Sequence, residues 1–280
     1  MPLVRVDDIR LYFEVHGTAG SPLLMVPGYN SPQVEWPRPQ LELLAESHRV
    51  VVFDSRGTGK SDRPSDGYSM QQFAADVIGL LDGLEIERAH VAGLSMGGMI
   101  AQHVALEHPQ RVHGLVLGAT AAGEPGRPIL FPPSAEVLSA LARPSTGDPA
   151  EDSRLAWPIL YTPGYVAKER AALERLIELA LAYPTTPAFV KELQFSAILQ
   201  SHDTASRLGE IAAPTLIQAG GKDVLIPVEN ARVLAERIPG ARLIVYPEAA
   251  HGYFHETGLV AAQDMLNFLQ GVDAAVPSAG

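Results

Sequence analysis

The chain reads as an α/β fold: a mostly parallel sheet flanked by helices, with a helical segment inserted in its middle. Three observations predict it. Short apolar runs, Leu23-Leu24-Met25-Val26 and Val50-Val51-Val52-Phe53, carry no polar residue, as suits strands buried on both faces. Such runs alternate with stretches of helical period, and strand–helix alternation gives parallel sheets covered on both sides. Between residues 120 and 205 the alternation stops, prolines and helical stretches replace every strand signal, and then it resumes.

The elements follow in order. Leu11, Phe13 and Val15 alternate with polar neighbours, the pattern of an edge strand with one solvated face. The run 23–26 ends at Pro27-Gly28, and the run 50–53 ends at Asp54. Met70 to Leu84 places Phe73, Val77, Leu80, Leu81 and Leu84 at helical spacing, with Ser69 as N-cap. Ala89 to Ala92 forms a strand, a helix follows Ser95, and Val112 to Leu117 forms the next strand. The prolines at 125, 128, 132, 133, 144 and 149 precede helical stretches near 167–183 and 186–200. A strand at 214–220, a helix from Pro227 to Ile238, a strand at 243–246 and a helix from Glu256 to Leu269 complete the pattern. From Gly271 the tail is small and polar enough to fray. Residues 1–119 and 206–280 therefore constitute one core domain, and residues 120–205 a helical cap, or lid, over the carboxyl edge of its sheet.

Composition narrows the function classes. Apolar residues make up 46% and charged residues 19%, enough to build a substantial core. The net charge of −11 argues against nucleic acid and against an anionic membrane surface as partners. With no cysteine there is no disulfide, thiolate metal site or Cys nucleophile. The first residues lack the apolar core of a signal peptide, and no apolar run reaches the roughly 18 residues of a membrane helix. A soluble cytoplasmic protein is expected, with monomer and homodimer both open.

The chemistry lies in Gly93-Leu94-Ser95-Met96-Gly97-Gly98, a G-x-S-x-G between a strand and a helix. That is the context of a nucleophile elbow, where a serine is held exposed on a strained turn. A serine hydroxyl attacks only when a base takes its proton, and the base needs an orienting partner. Asp223, in Gly220-Gly221-Lys222-Asp223, follows one late strand, and His251, in Ala249-Ala250-His251-Gly252, follows the last. Residues placed after parallel strands converge on one edge of the sheet, where open α/β sheets bind ligands. Asp203, a rival carboxylate in Ser201-His202-Asp203-Thr204, suits a turn or cap better.

These motifs, together with Asp54-Ser55-Arg56-Gly57-Thr58-Gly59-Lys60-Ser61-Asp62, resemble the α/β-hydrolase superfamily over nearly the whole chain. The resemblance implies Ser95 as nucleophile, His251 as general base and then acid, and Asp223 as the orienting carboxylate. It makes Arg56-Gly57-x-Gly59-x-Ser61 a structural turn. It also calls for backbone donors to the developing oxyanion, which by position are the N–H groups of Met96 and Tyr29. Relatives carry His-Gly-X in the loop that supplies the second donor, whereas this chain has Pro27-Gly28-Tyr29. Asn30 and Trp36 in that loop, and Trp157 and Tyr161 in the insertion, are candidate substrate contacts; Phe131, Tyr165 and Phe195 are further aromatics of the insertion.

The implied activity is cofactor-free cleavage of a carboxylic ester or lactone of a small molecule through an acyl-enzyme, similar to enol-lactonases and small esterases. Perhydrolase or haloperoxidase chemistry and carbon–carbon bond hydrolysis use the same three residues and stay open. A ligand receptor retaining the fold is a more distant alternative. Epoxide hydrolases and haloalkane dehalogenases need a carboxylate where Ser95 stands. No metal is expected: His251 and His255 are spaced His-x-x-x-His, without the glutamate of H-E-x-x-H. Gly59-Lys60-Ser61 imitates the end of a phosphate loop, but Asp54 occupies the place of its first glycine.

Overall fold

A computed structural model describes residues 2–275. Eight strands form one sheet: β1 (Leu3–Val6), β2 (Ile9–His16), β3 (Pro22–Val26), β4 (Arg49–Phe53), β5 (Ala89–Leu94), β6 (Val112–Gly118), β7 (Thr215–Gly220) and β8 (Arg242–Tyr246). Their order is β1-β2-β4-β3-β5-β6-β7-β8. Pairing is antiparallel from β1 to β2 to β4 and parallel from β4 through β8. The sheet is therefore mostly parallel, as the uninterrupted apolar runs require.

Those runs serve two cores at once because successive strand residues point to opposite faces. On β3, Leu24 and Val26 join one apolar cluster while Leu23 and Met25 join the other. On β4, Val51 and Phe53 oppose Val50 and Val52 in the same way. Helices α2 (Met70–Gly83), α3 (Met96–Glu107) and α8 (Val228–Arg237) fill the first cluster. Helices α1 (Arg38–Ala45) and α10 (Val260–Ala275) fill the second. Ser69 caps α2, its side chain accepting from Gln72 N at 3.0 Å.

Several elements depart from the sequence reading. Leu11, Phe13 and Val15 do not lie on an edge strand; β2 is second in the sheet, and the edge is the four-residue β1. The half-exposed Val15 made β2 resemble an edge. The last helix begins at Val260, after a short α9 (Tyr253–Glu256) and a turn at Gly258 with φ +57°. Gly271 to Ala275 do not fray but continue α10; the remainder of the tail lies outside the described residues.

Between β6 and β7 the chain makes four helices and no named strand: α4 (Ala135–Leu141), α5 (Pro149–Leu160), α6 (Pro163–Leu181) and α7 (Ala188–Ser201). Proline at the first position of α5 and α6 costs no hydrogen bond, since that N–H has no intrahelical partner. Trp157, Leu173 and Ile177 form a small core of this segment's own. Several hydrogen bonds tie it to the carboxyl edge of the sheet. Tyr183 donates to Asp54 Oδ2 at 2.9 Å, Asn30 N donates to Gln194 Oε1 at 3.0 Å, and Gly252 N donates to Leu160 O at 2.7 Å.

Candidate active site

Ser95 stands between the end of β5 and the start of α3 with φ 56° and ψ −122°, a backbone conformation costly for any residue with a side chain. Close packing over-determines it. A Cβ on Gly93 would fall 2.1 Å from Gly97 O, and one on Gly97 would fall 2.2 Å from Val26 O. The turn can press against itself and the β3 loop only because both residues are glycine. Ser95 N donates to Gly118 O at 2.9 Å and Thr120 Oγ1 donates to Ser95 O at 2.7 Å, so the end of β6 fixes the serine backbone.

Asp223 follows β7. Its Oδ1 accepts from Leu225 N (2.9 Å) and Ile226 N (2.8 Å), leaving Oδ2 to face His251 Nδ1 at 2.8 Å. With Nδ1 engaged by the carboxylate, Nε2 is the ring nitrogen that Asp223 leaves unoccupied. The two loops are joined by their backbones: Gly221 N donates to Tyr246 O and Lys222 N to Ala249 O, both at 2.8 Å. Ser95, Asp223 and His251 thus lie at the ends of β5, β7 and β8, on one edge of the sheet. Neither Ser95 Oγ nor His251 Nε2 has a side-chain hydrogen-bond partner among the described residues; the one bond of the His251 ring is that of Nδ1 with Asp223.

The N–H groups of Met96 and Tyr29 likewise donate to no acceptor among the described residues. Met96 N–H is one of the unpaired donors that open α3. Tyr29 belongs to the β3 loop, where a Cβ on Gly28 would lie 3.6 Å from Ser95 Cβ. Proline at position 27 removes no donor from this pair, because both are main-chain groups of other residues. The Tyr29 ring stands half-exposed against Phe195 of α7, centroids 6.3 Å apart.

The other candidate contacts have different settings. Trp36 packs edge-on to Phe254 at 6.0 Å and belongs to the α1–α10 core. Trp157 is buried in the insertion's own core, with the Arg170 guanidinium over its ring at 5.9 Å. Asn30 adopts φ 53° and holds α7 through its N–H. Tyr161 packs against the histidine loop: a Cβ on Gly252 would fall 2.3 Å from its ring. His255 does not face His251 as a metal pair; it packs edge-on to Tyr161, and burial lowers its imidazole to about 4. Asp203 is exposed after the end of α7.

Two acidic residues gave no sequence signal. Glu256 Oε1 accepts from Ala250 N at 2.9 Å, next to His251, and from Thr162 N at 3.3 Å. Its Oε2 accepts from Thr162 Oγ1 at 2.6 Å, so one carboxylate ties the histidine loop to the start of α6. Glu35 accepts from Ser31 Oγ at 2.6 Å, and burial raises its carboxyl to about 7. The Arg56–Ser61 turn is structural, as expected. Arg56 Nε and Nη2 donate to Asp76 at 2.6 and 2.7 Å, and Ser61 Oγ donates to Asp54 O at 2.6 Å.

The profile of the family described as "alpha/beta hydrolase fold" matches residues 21–257, and the chain belongs to that family; it is a hydrolase. It is 32% identical over 275 residues to the Azorhizobium caulinodans protein named "Putative carbamate hydrolase RutD", covering 98% of this chain and 100% of that one. Its fold superposes on the enol-lactonase from Burkholderia xenovorans with a TM-score of 0.81 at 26% identity, covering 96% and 100% of the two chains. An esterase from Thermogutta terrifontis also matches with a TM-score of 0.81 at 26% identity, over 97% and 98%. Among the described residues no helix is long and apolar enough to cross a membrane.

Proposed function

We propose that this hydrolase cleaves a carboxylic ester or lactone of a small molecule through an acyl-enzyme. The observation that carries the reading is a strained, partner-free Ser95 on the same sheet edge as a His251 whose Nδ1 is held 2.8 Å from Asp223. In the first half-reaction Ser95 Oγ attacks the carbonyl carbon while His251 Nε2 takes its proton. Asp223 stabilises the imidazolium that forms, without itself taking the proton. Met96 and Tyr29 N–H groups receive the oxyanion, a contribution of roughly 3–4 kcal/mol per donor in related chemistry. The C–O bond then breaks, and His251 returns the proton to the leaving alkoxide. In the second half-reaction water replaces the serine, with the same proton path in reverse, and releases the acid.

Residues 120–205 act as the cap in this reading, with Tyr29, Phe195 and Tyr161 at its contact with the core. Carbamates belong on the test panel, because the Azorhizobium relative bears that name and the carbonyl chemistry is the same. The experiment is a panel of p-nitrophenyl esters of rising chain length, lactones and carbamates, run on wild type and Ser95→Ala. A serine-directed phosphonate is expected to add one equivalent of label per chain, at Ser95, and to abolish turnover. Turnover retained in Ser95→Ala, or label on another residue, overturns the assignment.

A further inference from the structure

The opposite edge of the sheet carries a second cluster. The strand register, Pro22 beside Arg49 and Leu23 beside His90, brings His48, His90 and Ser21 to one level. His113 on β6 lies beside them, its ring centroid 4.6 Å from that of His90. Asp273, in the last turn of α10, reaches into this group. His90 Nε2 is 2.9 Å and His113 Nε2 3.1 Å from Asp273 Oδ1, while His48 Nε2 is 3.4 Å from Oδ2.

We propose that His48, His90 and Asp273 bind a first-row divalent cation of the zinc type, with His113 packed beside them. The donor set is what such a cation selects, imidazoles with one carboxylate and no thiolate. Its spacing fits as well. Metal–ligand bonds of about 2.0–2.2 Å at tetrahedral angles place ligand atoms ~3.3 Å apart. The ligand atoms of His48, His90 and Asp273 all lie within 4.8 Å of one another, so a small contraction gathers them around one cation.

A second observation concerns His48. Its side chain is fully buried and its Nε2 has no hydrogen-bond partner. Its Nδ1 lies 3.4 Å from Ser47 Oγ, which also accepts from Gln270 Nε2 at 3.1 Å. With the proton on Nδ1, Nε2 turns a lone pair toward a carboxylate, an arrangement that a bound cation between them makes favourable. Ser21 Oγ donates to Asp273 Oδ2 at 2.6 Å and orients the carboxylate, the kind of outer support that metal ligands require.

A cavity of about 210 Å³, bounded by Ser21, Pro22, Arg88, Ala89, His90 and His113, gives a path to the cluster. Arg88, the cation on that wall, is engaged with Val112 O at 3.2 and 3.3 Å. His90 Nδ1 has no partner to fix its tautomer, which sets the affinity below that of a fully supported structural zinc site. The expectation of no metal rested on cysteine content and on the His251–His255 spacing. Nothing in the sequence signals residues brought together from three separate parts of the chain.

The test is a titration of the chelator-treated full chain with cobalt(II), followed by displacement with zinc. One equivalent is expected to give the intense visible absorption of tetrahedral cobalt, and saturating zinc to raise the melting temperature by at least about 2 °C. His48→Gln and Asp273→Asn are expected to lose at least tenfold in affinity, with far-ultraviolet circular dichroism checking their fold. His251→Gln is expected to bind like wild type. X-ray absorption of the zinc-loaded His251→Gln protein needs no variant of the cluster and is expected to count two imidazoles. Absence of the cobalt band in wild type overturns the proposal. So does unchanged affinity in both folded cluster variants, loss of binding in His251→Gln, or fewer than two imidazoles on zinc.

Discussion

Replacing Glu35 by glutamine is expected to stabilise the protein at alkaline pH and to leave it nearly unchanged in mild acid. The Glu35 carboxyl is raised from 4.5 to about 7, first by burial and then, against the Ser31 hydrogen bond, by the charge of Asp54. Below pH 4.5 it is protonated in both folded and unfolded chains and contributes no difference. Between 4.5 and 7 the unfolded chain releases the proton while the folded chain keeps it, so stability falls as pH rises. Each unit corresponds to about 1.4 kcal/mol, and the interval to about 3 kcal/mol. Since Glu35 retains some solvent contact, about 2 kcal/mol is expected at pH 8. Glutamine keeps an acceptor for Ser31 without the charge. The assay is urea unfolding of both proteins at pH 4.5, 6 and 8, comparing midpoints at constant slope. A difference between the two proteins that does not change with pH would refute the reasoning.

Two further substitutions test the supports of the site. Glu256→Ala removes three hydrogen bonds that hold Ala250 and Thr162. It is expected to lower kcat roughly tenfold, about 1.4 kcal/mol, with a smaller change in KM and a parallel slowing of phosphonate labelling. An unchanged kcat in a protein that merely melts earlier removes the link to His251. Arg56→Ala strands Asp76, its bidentate and almost fully buried partner, and is expected to cost about 3–5 kcal/mol in urea unfolding. The double variant Arg56→Ala/Asp76→Ala should recover part of that loss; a loss below about 1 kcal/mol in the single variant contradicts the ion-pair reading.

What could be read from the sequence was local. The turn around Ser95 declares itself because its glycines, strand and helix are neighbours in the chain, and Asp223 and His251 each follow a strand that periodicity reveals. Glu256 and Glu35 stayed hidden because their partners, Ala250, Thr162 and Ser31, carry no motif and are chosen by packing. Helices α4 and α5 were masked by the prolines around them, although proline is at ease where α5 begins. The tail after Gly271 looked loose on composition, yet Asp273 is held by Ser21 and His90, which anchor the last turn of α10. Trp157 looked like a pocket wall because large aromatics serve both purposes, and only its packing against Leu173 and Ile177 separates them.

The pairing of β6 with β7 bears on how the molecule is made. Gly118 closes one strand and Thr215 opens its neighbour, with the whole helical insertion between them. On an emerging chain the strained turn at Ser95 can form while Asp223 and His251 are still unsynthesised. Strand pairing across so long a loop is slow to close. In the mechanism proposed above, Ser95 meets its base and the orienting carboxylate only when β7 and β8 dock. The proposed mechanism therefore depends on β7 and β8 staying docked on β6, a pairing that encloses the whole helical insertion.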